Sequence, residues 1–225
     1  MTIAARLAGV HKTYRRAGEA VHALRAVDLS VAVGEVVALV GPSGSGKSTA
    51  LLVLGGWETP DAGEVFLAER SDGGPPPWAQ VGVVPQGLGL LEDLTVRDNV
   101  LLPVRLAGRA PDRTAAYDLL RTLDLADLAD RQPAEISLGQ QQRAAVARAL
   151  VLQPHIVLAD EPTTHQDGEH AATLFGVLRS VAERGGAVVV ATHDPAGAAY
   201  ADRVVQMADG RVLGAEPSGI RLRRR

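Results

Sequence analysis

Cysteine is absent from this 225-residue chain, so the sequence excludes disulfide bonds and thiolate metal sites. This absence is compatible with a reducing cytosol. No apolar run approaches the ~20 residues that a membrane-spanning helix needs, and residues 1–6 lack the charged-then-apolar layout of a secretory signal. We therefore expect the chain itself to be soluble.

A large excess of either charge is also missing. The formal net charge is −3, and acidic and basic residues are dispersed along the chain. Only the arginine-rich end, residues 221–225, offers a basic cluster, so we expect no nucleic-acid partner. This end belongs to a basic tail predicted over 216–225, which is expected to be solvated; the alternative is contact with anionic lipid.

Lysine is scarce, since only Lys12 and Lys47 occur among the 23 basic residues. Lys47 belongs to a glycine-rich loop between the apolar runs 36–40 and 50–54, an order that predicts strand, loop and helix. This phosphate loop, as we call it below, consists of Gly41, Pro42, Ser43, Gly44, Ser45, Gly46, Lys47, Ser48 and Thr49.

The spacing of this loop has a chemical reason at each fixed position. Glycines allow several backbone N–H groups to point into one cavity, and the following helix adds its positive end, which suits a polyphosphate. Lys47 can reach the β- and γ-phosphates, and Ser48 can offer its hydroxyl to Mg²⁺. The alternative is a Gly/Ser-rich turn, but such a turn needs no lysine.

Apolar runs predict the strands of an α/β protein. They lie at 2–10, 23–33, 36–40, 64–67, 81–84, 156–159 and 187–191, and a final hairpin joins 203–207 to 211–213. Helical periodicity at 94–102, 112–123 and 126–131, followed by a helix from Ser137, interrupts this alternation. We expect a single domain with a core over about 1–86 and 152–215 and an inserted all-helical part over about 87–151.

The helix that begins at Ser137 has two interpretations. Ser137 and Gln140 fit a Ser-x-x-Gln capping box, in which the serine only caps the helix. The same geometry exposes the backbone N–H groups of Leu138, Gly139 and Gln140 at a positive helix end. The residues therefore leave open whether this end is a cap alone or a second phosphate contact.

Several polar residues follow predicted strands, where open α/β sheets collect ligand contacts. Gln86 follows the strand at 81–84, the paired acids Asp160 and Glu161 follow the strand at 156–159, and His193 follows the strand at 187–191. From an extended backbone the two carboxylates would point in opposite directions, one toward a metal and one toward a nucleophilic water. His193 alone is equally typical of a hydrogen-bonded loop histidine.

Tyr14 lies beside two arginines in a polar loop predicted between the first two strands. The chain has only three tyrosines. This ring is either a packed loop residue or a platform that stacks on a nucleotide base.

Five pieces occur in one order: the phosphate loop, Gln86, a signature segment at 136–140 that reads Ile-Ser-Leu-Gly-Gln, Asp160-Glu161-Pro162, and Thr192-His193-Asp194. Together they resemble an ABC transporter nucleotide-binding subunit, over nearly the whole chain. The resemblance implies a P-loop NTPase fold: an ABC-type ATPase core with an antiparallel β subdomain and an inserted α-helical subdomain. It also implies ATP and Mg²⁺ as cofactors.

The resemblance implies roles for matching residues. Tyr14 would stack on adenine, and the phosphate loop would cradle the phosphates. Ser48 and Gln86 would face Mg²⁺ and the attacking water, and Asp160 would support the metal. Glu161 would act as general base, and His193 would contact the γ-phosphate. These residue types suit phosphoryl transfer, which depends mostly on positioning and charge neutralisation.

The implied partners are a second ATP-binding subunit and a separate transmembrane permease. Two ATP molecules would lie in a head-to-tail homodimer or pseudo-symmetric dimer, between the phosphate loop of one subunit and Ser137, Gly139 and Gln140 of the other; Asp167 would cross the seam. The subunit would be cytoplasmic, on the inner face of the cell membrane. The segment at 99–103 resembles the lipoprotein-release and macrolide-exporter group, which implies export or extracytoplasmic work.

Two positions depart from the family pattern. Leu138 replaces a signature glycine, and residues 164–167 read Thr-His-Gln-Asp in place of Ser-Ala-Leu-Asp. A leucine side chain is expected to hinder the close approach to a γ-phosphate that glycine allows. Leu138 motivates one alternative, a weakly hydrolysing ABC-type ATPase that acts as a nucleotide-gated dimer switch. A second alternative is a soluble ABC-type ATPase of DNA repair or translation, for which the chain lacks the heptads.

Overall fold

The computed structural model describes residues 2–16, 18–68, 79–110 and 112–217. The strands are β1 (Ile3–Arg16), β2 (Glu19–Ala32), β3 (Val36–Val40), β4 (Ala62–Leu67), β5 (Val81–Val84), β6 (Ile156–Asp160), β7 (Ala187–Thr192), β8 (Arg203–Ala208) and β9 (Arg211–Pro217). The α-helices are α1 (Lys47–Leu54), α2 (Val96–Leu106), α3 (Arg113–Thr122), α4 (Leu138–Leu150), α5 (Gly168–Glu183) and α6 (Pro195–Ala198).

A six-stranded sheet in the order β5-β6-β7-β3-β8-β9 forms the centre of the molecule. All neighbours are parallel except β8 and β9, which form the predicted C-terminal hairpin. The central strands are continuous apolar runs because helices and a second sheet cover both faces. Along β3, Val36 and Ala38 face one apolar cluster while Val37 and Leu39 face the other.

A three-stranded antiparallel sheet, β2-β1-β4, covers the α1 side of the central sheet. This is the antiparallel subdomain that we expected. The polar loop predicted between the first two strands is wrong, because β1 and β2 continue as a hairpin and Tyr14 pairs with Val21. The hairpin reaches beyond the core, so both of its faces are polar and the alternation that marks a half-buried strand is lost.

Helices α2, α3 and α4 lie between β5 and β6, where the all-helical insertion was expected. The helix predicted at 126–131 is wrong: only a 3₁₀ turn forms there, over Ala126–Leu128, closed by a bond from Ala129 N–H to Ala126 O. Short apolar pieces of this kind support one tight turn but no further helix. The predicted basic tail at 216–225 overlaps β9, and residues 218–225 lie outside the described part of the chain.

Within the described ranges, no helix combines the length and the apolar character needed to cross a membrane.

Candidate functional site

The phosphate loop joins β3 to α1 at the carboxyl edge of the parallel sheet, where such folds bind ligands. Gly46 has a left-handed φ of 102°, and a Cβ atom there would lie 2.4 Å from the carbonyl oxygen of Ala23, so only glycine fits. The side chain of Lys47 is buried within the loop, where Nζ donates to the carbonyl oxygens of Gly41 at 2.8 Å and Pro42 at 3.1 Å. The loop thus holds a cation beside its own backbone.

Ser48 and Asp160 meet across the edge of the sheet. The Asp160 carboxylate, at the end of β6, accepts a hydrogen bond from the Ser48 side chain in α1. Burial raises the pKa of Asp160, and the nearby Glu161 charge raises it further; the Ser48 bond and the Lys47 cation lower it. An ionised Asp160 is therefore costly in the protein alone, and a cation at this position would stabilise its charged form.

Glu161 has a different orientation from the one that the sequence predicted. Its backbone is not extended, because φ is 51°, and β6 ends one residue earlier. The carboxylate lies at the tip of β7: Oε1 is 2.7 Å from Nδ1 of His193 and accepts the His193 backbone N–H at 3.1 Å. Thr192 Oγ1 donates to the other oxygen at 3.3 Å. The two acids still have separate partners, as expected.

Gln86 lies at the same edge of the sheet, just after β5, which pairs with β6. Its side chain is exposed. Arg148 of α4 fixes the segment that follows, donating to the carbonyl oxygens of Leu88, at 2.5 Å, and Gly89. The position of Gln86 therefore depends on a helix of the insertion.

Tyr14 lies on the β1–β2 hairpin and is half-buried. Nζ of Lys12 lies 5.3 Å from the centre of its ring. The same ammonium pairs with the Glu58 carboxylate at 2.8 Å and donates to Thr59 O at 2.8 Å. The hydrogen bond to Glu58 raises the pKa of Lys12 most strongly, so this lysine stays charged beside the ring.

The signature segment forms a second, separate place on the surface. The predicted capping box is confirmed: Gln140 N–H donates to Ser137 Oγ at 3.3 Å, and Ser137 N–H donates to the Gln140 side chain at 2.8 Å. Leu138 is 55% exposed in the first turn of α4. A cleft of about 500 Å³ opens here, and its described lining contains no residue of the phosphate loop. It is lined by Asp124, Ser137, Leu138, Gly139, Gln140, Arg143, His165, Gln166, Asp167 and His170.

Gln142 is a functional candidate that the sequence reasoning missed. It is only 2% exposed; its Nε2 donates to the Glu161 carbonyl oxygen at 2.6 Å, and its Oε1 accepts the His165 N–H at 3.2 Å. Helical spacing to the buried Val146 and Ala149 would have placed this glutamine on the inner face of α4. Nothing in the spacing identifies its partners, which lie about twenty residues away.

The donor set at the sheet edge fits Mg²⁺. Ser48, Asp160 and Gln86 offer hydroxyl, carboxylate and amide oxygens, the hard ligands that this ion prefers. In the described residues, no cluster of three or more His, Cys, Asp or Glu side chains is suited to a metal. Mg²⁺ is normally held by one or two carboxylates together with substrate phosphates, so a single buried carboxylate beside the phosphate loop is sufficient.

Comparisons with known proteins agree with this geometry. A family model described as ABC transporter matches residues 24–164. The lipoprotein-releasing system ATP-binding protein LolD of Gluconobacter oxydans is 41% identical over 220 residues, covering 93% of this chain and 95% of that protein. The macrolide export ATP-binding/permease protein MacB of Salmonella choleraesuis is 38% identical over 97% of this chain but 35% of its own length.

A solved structure extends the similarity to the whole fold. The ATP-binding cassette MJ0796, in a dimeric post-hydrolysis state with ADP and Pi, is 35% identical and has a TM-score of 0.88, covering 95% of this chain and 98% of that one. The expected ABC-type ATPase fold is thereby confirmed. The chain is a member of the ABC transporter family of ATP-binding, ATP-hydrolysing proteins.

Proposed function

We propose that this chain hydrolyses ATP at the edge of the sheet that carries the phosphate loop, Asp160 and Glu161, and that it does so to drive a membrane partner. The observation that carries the proposal is the convergence of three bonded pairs at one sheet edge: Lys47 with the loop carbonyls, Ser48 with Asp160, and Glu161 with His193. The first pair lies within the phosphate loop, and the other two join segments that are distant in sequence.

The residues have distinct roles in this proposal. Lys47 and the loop N–H groups bind the β- and γ-phosphates, and Ser48, Asp160 and Gln86 hold Mg²⁺, which neutralises phosphate charge when bound. Glu161 orients and deprotonates the attacking water, while His193 fixes the Glu161 carboxylate and faces the γ-phosphate. Tyr14 stacks on the adenine.

The signature segment serves the ATP of a second subunit. It lies in a cleft whose described lining contains no phosphate-loop residue, which supports a separate role for it. The relative MJ0796 forms a dimer. We infer a head-to-tail homodimer or pseudo-symmetric dimer in which Ser137, Gly139 and Gln140 contact ATP bound to the partner.

The membrane partner is a separate transmembrane permease. The relatives that match over nearly their full length are named as ATP-binding proteins of lipoprotein-releasing systems, which supports export or extracytoplasmic work at the inner face of the cell membrane. The core over about 1–86 and 152–215 would bind ATP, and the helical part over about 87–151 would meet the permease. Both parts belong to one ATP-binding domain.

One observation favours a second candidate function. The exposed leucine at position 138 stands at the helix end that would approach the partner's ATP. If it prevents full closure, the chain is a nucleotide-gated dimer switch with weak hydrolysis. Turnover measured with and without the permease separates the two, because a motor is stimulated by its partner whereas a switch is not.

Lys47 provides the test of the ATP site. Lys47→Ala should raise the Kd for Mg-ATP by about a hundredfold or more, because a charge-assisted contact to phosphate is lost from a buried site. Arg179→Ala is the control, since it also removes a cation bonded to a backbone carbonyl, that of Tyr200. Arg179 pairs with Asp202, which accepts the Val36 N–H at the end of β3 opposite to the phosphate loop. Isothermal titration of both variants decides: undiminished affinity in Lys47→Ala would overturn the assignment.

A further inference from the structure

Gln166 makes a direct link between the signature helix and the segment that follows Glu161. Its Nε2 donates to the carbonyl oxygen of Gly139, in the first turn of α4, at 2.8 Å. Its Oε1 accepts from Nη1 of Arg143, one turn further along, at 3.2 Å. A single half-buried side chain therefore bonds two successive turns of the same helix.

The two segments also pack backbone against backbone at this point. A Cβ atom on Gly139 would lie 2.6 Å from the carbonyl oxygen of His165, so only glycine allows the contact. Gln142 adds a second link, through the Glu161 carbonyl oxygen and the His165 N–H. The start of α4 is thus connected to the residue proposed as general base by two glutamines, one from each segment.

Glutamine at position 166 departs from the family pattern, which has leucine there. Leucine has a similar volume but neither a donor nor an acceptor. The second departure, Leu138, precedes the residue whose carbonyl Gln166 holds. Both departures therefore concern the first turn of α4: Leu138 belongs to this turn and is exposed, and Gln166 bonds the turn from the 161–167 segment.

We propose that Gln166 is a positioning residue. Gln166 bonds the Gly139 carbonyl and so fixes the signature turn relative to Glu161. The signature turn would face the partner's ATP, whereas Glu161 would act on ATP held by the phosphate loop of the same chain. This inference rests on the proposed function. In it, the Gln166 bond holds the signature turn in place although position 138 carries leucine. The competing explanation is that Gln166 only satisfies Arg143, whose Nε is buried without a hydrogen-bond partner among the described residues.

Three variants separate these explanations in a chain that also carries Glu161→Gln, so that ATP is bound but not consumed. Gln166→Leu removes both hydrogen bonds. Gln166→Glu keeps an acceptor for Arg143 but has no donor for the Gly139 carbonyl. Ser180→Ala is the control: it removes one side-chain hydrogen bond to a backbone carbonyl, that of Val177, in the second half of α5 and outside both the signature segment and the 161–167 segment.

The measurements are the dimer Kd with Mg-ATP by analytical ultracentrifugation, the monomer Kd for Mg-ADP, and Tm. Both Gln166 variants should weaken ATP-driven dimerisation by about three- to tenfold, the loss expected for one hydrogen bond. Their Mg-ADP affinity should stay within about twofold of the parent, because the phosphate loop is untouched. Ser180→Ala should lower Tm and leave the dimer Kd unchanged.

Several results would overturn the inference. Parent-like dimerisation of Gln166→Leu, or of Gln166→Glu, would show that the Gly139 bond does not position the signature turn. An equal loss in Ser180→Ala would show that the effect comes from general stability. A parent that never dimerises with ATP would overturn the proposed sandwich together with this inference, whereas a dimerising parent matched by its variants overturns the inference alone.

Discussion

The Glu161 carboxylate and the His193 imidazole form a close polar pair at the sheet edge, with 2.7 Å between Oε1 and Nδ1. The glutamate is 12% exposed and the histidine 65%, so a shielded acid is held by a ring that faces solvent. The backbone N–H of His193 holds the same oxygen. The orientation of the proposed base is therefore set from the tip of β7 and not from its own strand.

Replacing the base should separate ATP binding from turnover. Glu161→Gln should retain Mg-ATP affinity and lower kcat by about 10²–10⁴-fold, because an amide cannot accept the proton of the attacking water. Dimer should accumulate, since the phosphate contacts remain. Phosphate release and size-exclusion with ATP measure both effects. A variant that stays monomeric where the unsubstituted chain dimerises would contradict the base-and-sandwich arrangement.

Removing the His193 ring should lower kcat less than replacing Glu161. His193→Ala should lower kcat by about tenfold or more with little change in KM, because the carboxylate loses a charge-assisted partner but keeps the backbone N–H. His193→Asn should recover part of the rate, since its amide can still donate to Oε1. Steady-state phosphate release compares the two. Equal rates for both variants would show that the Glu161 bond is not what His193 contributes.

Asp160 should make the stability of the folded protein depend on pH. Because burial holds its pKa above the ordinary value, its contribution to stability is full below the unfolded-state pKa, about 3.9, and is lost as pH rises through the folded-state pKa. Asp160→Asn cannot ionise, so its Tm should exceed that of the unsubstituted chain by a margin that grows across this window. Thermal unfolding from pH 4 to 8 without Mg²⁺ measures the margin.

The Asp160→Asn variant should be stabilised less by Mg-ATP, because it lacks the negative charge that is proposed to hold Mg²⁺. With Mg-ATP present, the unsubstituted chain should gain more in Tm than Asp160→Asn, because ligand that binds only the folded state stabilises it. A Tm difference that does not change with pH would mean that the carboxylate is not strained by burial. Equal Mg-ATP stabilisation of both proteins would remove Asp160 from the metal site.

Leu138 decides how closely two subunits can approach. If its side chain blocks the path to the partner's γ-phosphate, Leu138→Gly should strengthen ATP-driven dimerisation and raise kcat, although glycine in a helix costs about 0.5–1 kcal/mol. A tenfold gain needs only ~1.4 kcal/mol, so better contact geometry can outweigh that cost. If Leu138 instead packs on the partner, dimerisation and kcat should both fall. Both are measured at saturating Mg-ATP.

The sequence predicted the parts of the site that depend on local patterns. The phosphate loop, the acids after β6 and the Ser137 cap are encoded by neighbouring residues, and the parallel strands by continuous apolar runs. The β1–β2 hairpin around Tyr14 was missed because its residues are mostly polar and only partly buried, so the hairpin has no apolar period. The φ of Glu161 was also missed, since the bonds from β7 that orient it come from residues about thirty positions away.

The hydrogen bonds from Arg148 to Leu88 and Gly89 have a mechanical consequence. One guanidinium bonds two consecutive carbonyls, at residues with φ of 53° and 61°, so the loop after Gln86 is tied directly to the second half of α4. We expect a displacement of the helical insertion to change the position of Gln86 as well, because Arg148 connects the two.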